Sequence, residues 1–280
     1  MKKVNQIEFG DCRAIMRQWS TAGVKAQTCV TSPPYFGLRD YGCDGQIGLE
    51  KTPEAYVDSL VEVFKCVRDL LSDDGTLWLN IGDTYSKDKN RLLIPARVAL
   101  ALQADGWVLR DEIIWSKPNP MPEPVKDRCV RAHEIIYLLS KSSKYYFNAD
   151  AIKEPAVCTK TPGRKITDTR ETHGTGKGNG GINNFLARYH NGDRPTHRNK
   201  RSVWTVTTKP YKGAHFATFP PDLIAPCILA GCPIGHIVLD PFIGSGTTAE
   251  VALRHGRKYL GCELNPDYKA LQDKRIGDIK

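Results

Sequence analysis

What this 280-residue sequence lacks narrows it first. No apolar run approaches the ~20 residues that cross a bilayer, and the opening Met1-Lys2-Lys3-Val4-Asn5-Gln6 has no apolar segment of the kind a secretory signal carries. The nine cysteines are odd in number, scattered and never spaced C-x-x-C, which argues against a disulfide framework. Cys29 and Cys262 sit in apolar runs, where a free cysteine behaves as a small hydrophobe. No Asp/Glu/His cluster has the spacing a metal-dependent nuclease needs, so no metal is expected, and there is no internal repeat. With 40% hydrophobic and 25% charged residues, the composition is that of an ordinary globular protein, expected in a reducing cytoplasm without a membrane partner.

What is present is unevenly placed. The formal charge is +9, and residues 151–212 hold 13 Lys+Arg against 4 Asp+Glu, so the whole surplus lies in that segment. Such a stretch suits a polyanionic partner, because each neutralised phosphate releases counterions; a solvated basic loop is the plainer alternative.

Around it, apolar periodicity alternates between strand and helix. Ile7–Phe9 and Thr28–Thr31 read as short buried strands flanking a helix near Cys12–Trp19. Thr52 is placed to cap a helix with Pro53 at N1, and Tyr56, Leu60, Val63, Val67 and Leu70 follow at helical spacing. Asp73-Asp74-Gly75 should stop it before a strand at Thr76–Ile81. A helix at Ile94–Ala104 and strands at Glu112–Trp115 and His133–Ser140 follow. Thr172–Asn184, with five glycines, reads as a loop or insertion. Regularity returns with a helix from Pro221, a strand at Ile237–Leu239, a helix at Gly246–His255, a strand at Tyr259–Glu263 and a helix at Asp267–Ile276. This alternation predicts an α/β fold with an open, mostly parallel sheet.

Two strand ends carry chemistry. Asp240-Pro241-Phe242-Ile243-Gly244-Ser245-Gly246-Thr247-Thr248 follows an apolar strand and opens a helix, where glycines admit close backbone approach and helix N–H groups are free. Glu263 ends the next strand, placed to accept hydrogen bonds from the ribose hydroxyls of a nucleoside cofactor. No lysine follows Gly246, which disfavours a P-loop nucleotide. At the other junction, Ser32-Pro33-Pro34-Tyr35 follows Cys29-Val30. Two prolines fix φ, so Ser32 and the Pro33 carbonyl can accept hydrogen bonds from an amino group and free its lone pair to attack a methyl sulfonium. Tyr35 offers a face on which an extruded base can stack. Read alone, the segment is equally a rigid turn with a core tyrosine.

Together the motifs resemble the DNA amino-methyltransferases, with Thr31–Tyr35 as catalytic loop and Asp240–Thr248 as cofactor loop. Their order, with a recognition region between, resembles the beta class. Phe9-Gly10-Asp11, Gly75–Asp83 and His215–Pro220 match as well. The resemblance implies a Rossmann-like methyltransferase sheet flanked by helices, with an inserted basic target-recognition region, and S-adenosylmethionine as cofactor. It divides the chain into a catalytic half (residues 1–115), a target-recognition region (116–213) and a cofactor half (214–280). It places Asp11 near the cofactor's adenine and His215, Phe216, Thr218, Phe219 and Pro220 along its methionine end; for the two phenylalanines, core packing is the alternative. Arg198, Lys200, Arg201 and Trp204 are candidates for double-stranded DNA, and Arg128, Arg131 and His133-Glu134 line the DNA face or form structural ion pairs. A homodimer and a cognate restriction endonuclease are the further partners it raises, in a prokaryote or phage.

Ser32 resembles the N4-cytosine signature, since N6-adenine enzymes usually carry Asp or Asn there; adenine stays open. Carbon-5 methylation needs a cysteine nucleophile, and the only Pro-Cys pair, Pro226-Cys227, falls inside a predicted helix. A protein or RNA amine methylase, and a DNA-binding module with a decayed cofactor site, are the remaining readings.

Overall fold

The computed structural model describes residues 4–156, 196–208, 219–277 and 279. Two compact units emerge, residues 1–151 with 201–280, and residues 152–200. The larger unit is built on strands β1 (Gln6–Phe9), β2 (Ala26–Thr31), β3 (Leu71–Ile81), β4 (Val108–Ser116), β5 (His133–Ser140), β8 (Val203–Thr205), β9 (Ile237–Asp240) and β10 (Lys258–Glu263). Its helices are α1 (Cys12–Thr21), α2 (Pro53–Leu70), α3 (Ile94–Ala104), α4 (Pro221–Gly231), α5 (Thr247–Arg254) and α6 (Lys269–Gly277). In the smaller unit, β6 (Glu154–Pro155) and β7 (His197–Arg198) pair antiparallel, and Arg198 Nε donates to Glu154 Oε1 at 2.8 Å.

The eight strands of the larger unit form one sheet in the order β1-β10-β9-β2-β3-β5-β4-β8. Only β5 runs against its neighbours β3 and β4; every other pairing is parallel. Strands in such a sheet are buried on both faces, and all six residues of β2 are buried. Side chains alternate along β3: Leu77, Leu79 and Ile81 join the core beneath α1, α2 and α3, with Tyr56, Leu60, Val63 and Val67 contributed by α2. Thr28, Thr76 and Trp78 face the other way, where Gly231 of α4 packs so closely that a Cβ would lie 2.7 Å from the Trp78 indole nitrogen.

The helix cap behaves as its sequence dictates. Thr52 Oγ1 accepts from the Ala55 N–H at 3.2 Å, with Pro53 in the first turn. The next strand begins at Leu71 rather than Thr76: a register shift lets Leu71 pair with Ala26 before Thr76 pairs with Thr28. β5, which the resemblance places in the target-recognition region, is an interior strand of the main sheet, as is β4. The glycine-rich segment Thr172–Asn184 lies outside the described residues.

Candidate active site

The order in which strands are added to the sheet reverses between the parallel neighbours β2 and β9. From β2 the chain continues through α2 to β3 on one side, and from β9 through α5 to β10 on the other. In an open parallel sheet, the crevice at the carboxyl ends of two such strands is where ligands bind. The two loops singled out from sequence are the ones that leave these ends, 209 residues apart in the chain. Thr31 Oγ1 donates to Asp240 Oδ1 at 2.6 Å and joins them.

Asp240 is the brace of the crevice. Besides Thr31, its carboxylate accepts from the Phe242 N–H at 3.0 Å and from Thr248 Oγ1 at 2.6 Å. Burial pushes its pKa up to about 6, against the lowering effect of those three hydrogen bonds. Both carboxylate oxygens are thus engaged within the protein.

The cofactor loop is held from outside itself. Gly244 and Gly246 have φ of +51° and +86°, a region L side chains rarely enter. Gly244 N–H donates to Glu263 Oε2 at 2.9 Å, and its carbonyl accepts from Gln272 Nε2 of α6 at 2.7 Å. Gly261 in β10 leaves the space Ile243 fills, since a Cβ there would lie 2.3 Å from Ile243 Cδ1. Arg275 donates to Thr247 Oγ1. Helix α5 starts at Gly246 with no side-chain cap, and the buried Ser245 hydroxyl has no partner among the described residues. Pro241 and Phe242 complete the turn.

Glu263, buried to 9% exposure, also accepts from the Asn265 N–H at 2.8 Å, and burial raises its pKa above the usual carboxylate range. Register Phe9↔Glu263 brings the loop after β1 alongside, with Gly10 N–H donating to the Glu263 carbonyl at 2.8 Å. Asp11 caps α1 through the Arg13 N–H and is gripped by the Arg13 guanidinium, which lowers its pKa. A crevice with glycine backbone, an uncapped helix start, an unpartnered hydroxyl and a carboxylate at the next strand end fits S-adenosylmethionine, a nucleoside bearing an amino-acid arm. Pro220 is buried at the N-cap of α4 and Phe219 is half-buried beside it; His215, Phe216 and Thr218 lie outside the described residues.

The catalytic loop is tied more fully. The Pro34 carbonyl accepts from Tyr56 OH at 2.8 Å, whereas the Pro33 carbonyl takes no hydrogen bond among the described residues. Tyr35 turns its hydroxyl inward, donating to Glu134 Oε2 of β5 at 2.7 Å and accepting from Asn80 Nδ2 of β3 at 2.9 Å. Asn80 also donates to Glu134 Oε2 at 3.0 Å, and Lys117, just past β4, donates to Glu134 Oε1. Ser32 Oγ lies 3.4 Å from Tyr35 OH. Burial and the Glu134 carboxylate hold the Tyr35 pKa well above that of a free phenol. Gly82 makes room, because a Cβ there would sit 2.4 Å from the Tyr35 ring.

Sequence reasoning left Glu134 between two roles and did not single out Asn80, Lys117, Gln272 or Arg275; they reach the loops only through the fold. Of the DNA candidates, Arg201 is exposed. Trp204 is not a surface residue: β8 pairs with β4 at the sheet edge, burying the indole to 5% exposure against Trp78, with Nε1 donating to the Arg201 carbonyl at 2.7 Å. Its aromatic character served the core, a use the basic neighbourhood disguised. Arg128 and Arg131 pack over the Tyr85 ring and face Glu123 and Asp83 respectively, so both take part in ion pairs.

The chain is 41% identical to the Type II methyltransferase M.Cfr9I of Citrobacter freundii, over 95% of this chain and 86% of that one. It is 42% identical to the Type II methyltransferase M.SmaI of Serratia marcescens, over 88% and 82%. Among solved structures, the cytosine-N4-specific PvuII DNA methyltransferase superposes with a TM-score of 0.69 at 21% identity, covering all of this chain and 92% of that one. The M1.HpyAVI–SAM complex superposes at 0.61 with 20% identity, covering 96% and 98%. The DNA methylase family model for N6 and N4 enzymes matches residues 26–274, and the chain belongs to that family.

Proposed function

We propose that the chain is a site-specific DNA methyltransferase that uses S-adenosylmethionine and modifies the N4 amine of cytosine. The observation that carries this reading is the Thr31–Asp240 hydrogen bond, which fixes the amine-accepting loop against the cofactor loop at one crevice. When bound, S-adenosylmethionine supplies an electrophilic methyl group on sulfonium. Glu263 would take the ribose hydroxyls, the unpartnered Ser245 hydroxyl would take the amino-acid arm, and Asp11 would lie toward the adenine. Asp240, 1% exposed and accepting three internal hydrogen bonds against the two that Glu263 accepts, positions rather than binds.

At the catalytic loop, Ser32 Oγ and the Pro33 carbonyl accept the amine's two N–H groups and draw its lone pair out of ring conjugation. Tyr35 stacks on the extruded base, which returns ~1–3 kcal/mol of the extrusion cost. The preference for cytosine rests on Ser32, a neutral acceptor where a carboxylate or amide would suit adenine. Arg198, Lys200 and Arg201 are assigned to phosphates, within a recognition region set by the basic residues 151–212. The Type II designation of the relatives supports a companion restriction endonuclease, and a homodimer is proposed on the family resemblance alone.

Single-molecule sequencing of DNA from cells expressing the protein tests this directly. N4-methylcytosine in one sequence context is expected. N6-methyladenine there would overturn the base assignment, and unmodified DNA the activity.

A further inference from the structure

The chain of hydrogen bonds behind the catalytic loop has a direction. Glu134 carries its counter-charge in Lys117 Nζ, and its two carboxylate oxygens only accept. Tyr35 must therefore donate its single proton to Glu134 Oε2, at 2.7 Å, which leaves the phenol oxygen as an acceptor. The Ser32 hydroxyl, at 3.4 Å, points its proton at that oxygen. Asn80 Nδ2 lies within 3.0 Å of both Tyr35 OH and Glu134 Oε2 and 3.4 Å from Ser32 Oγ, and as a donor it offers Tyr35 no competing acceptor from that side. With its proton committed to Tyr35 and one lone pair turned to Asn80, Ser32 presents an acceptor and no donor to the crevice.

We infer that Glu134 is a positioning residue that fixes Ser32 as a hydrogen-bond acceptor, acting through Tyr35. The inference rests on the reading of Ser32 as the amine's acceptor and says how a hydroxyl fills that place. A serine free to rotate can donate as readily as accept, and a donated proton would face the amine lone pair that must attack. A carboxylate at the same position has no such choice. The Ser32–Tyr35 contact is the slackest link, as catalytic hydrogen bonds often are before substrate binds.

Glu134→Gln breaks the direction while keeping the shape. Lys117 can only donate, so it claims the one amide oxygen and turns the amide NH2 toward Tyr35. We expect kcat to fall by about tenfold or more, with KM for DNA and the affinity for S-adenosylmethionine within about twofold of wild type. Tyr35→Phe, which keeps the ring, should lose a similar factor, and the double variant should be no worse than Tyr35→Phe alone, because both act through one chain. Ser32→Asp needs no such direction, so adding Glu134→Gln to it should change kcat little. A kcat within twofold of wild type for Glu134→Gln would overturn the inference. So would fully additive losses in the Tyr35→Phe pair, or an equal loss on the Ser32→Asp background. If Ser32→Asp is itself inactive, the Tyr35→Phe cycle alone decides. Full activity in Ser32→Ala would instead remove the underlying assignment of Ser32.

Discussion

The two loops that meet at the crevice are built by opposite means. The loop after β9 is held at its backbone: glycines at positive φ, a turn from Gly246 N–H to the Ile243 carbonyl, Gly244 bound at both N–H and carbonyl by Glu263 and Gln272, and a helix start left without a side-chain cap. The loop after β2 is ordered by side chains, with Ser32 and Tyr35 held by Asn80 of β3 and Tyr35 by Glu134 of β5, itself paired with Lys117. One loop leaves polar groups unspent, as a ligand site should. The other directs almost all of them inward and leaves the crevice a narrow set of acceptors. A cofactor that always arrives in one form can be met by local backbone geometry. On the proposed function, a base amine needs an acceptor of fixed sense, and that takes help from distant strands.

If this contrast holds, the catalytic side should be the more brittle to small steric changes. Gly82→Ala places a methyl group 2.4 Å from the Tyr35 ring and must displace it from Glu134 and Asn80. Misplacing catalytic groups by about 1 Å can cost on the order of a hundredfold. We expect methyl transfer to fall by about that factor while calorimetry shows S-adenosylmethionine affinity unchanged. A parallel loss of cofactor affinity would mean that the two loops are one unit.

Glu263→Ala probes the other side. It removes the acceptor that closes the crevice and the partner of the Gly244 and Asn265 N–H groups. Hydrogen bonds to a charged group are worth about 1.5–3 kcal/mol, so cofactor affinity should drop by about 10- to 100-fold. Single-turnover methyl transfer at saturating cofactor should fall much less. Unchanged affinity would remove Glu263 from the cofactor site.

The same contrast explains which parts of the site could be read from sequence. The candidate cofactor loop is legible as a pattern because a strand, two glycines, a helix start and an acid one strand later are adjacent in the chain, whereas Gln272 and Arg275, which hold it, are not. The Thr52 cap and the apolar stripe of α2 are legible for the same reason. Glu134 and Asn80 lie 99 and 45 residues from Tyr35, and no local pattern announces them. Trp204 misleads by its surroundings, since a basic segment hides the three-residue strand that buries it. The early start of β3 is equally non-local, being set by pairing with β2 across a register shift.

Asp240 belongs to both sides, and its charge is the smallest lever. The folded protein raises its carboxyl from 3.8 to about 6, so the folded state holds the proton to higher pH than the unfolded chain does. The stability tied to that proton is fully present below about pH 4 and is lost as pH rises through about 6. Asp240→Asn keeps an acceptor for Thr31 or Phe242 and does not titrate. The stability of wild type relative to this variant should therefore decline by about 1–3 kcal/mol between roughly pH 4 and 7, at ~1.4 kcal/mol per pKa unit. Denaturant unfolding of both proteins at the two pH values measures it. Parallel pH curves would mean that the bonds from Thr31, Phe242 and Thr248 fully offset burial of the charge. The brace would then join the two loops at no electrostatic cost, and crevice geometry would be insensitive to protonation across this range.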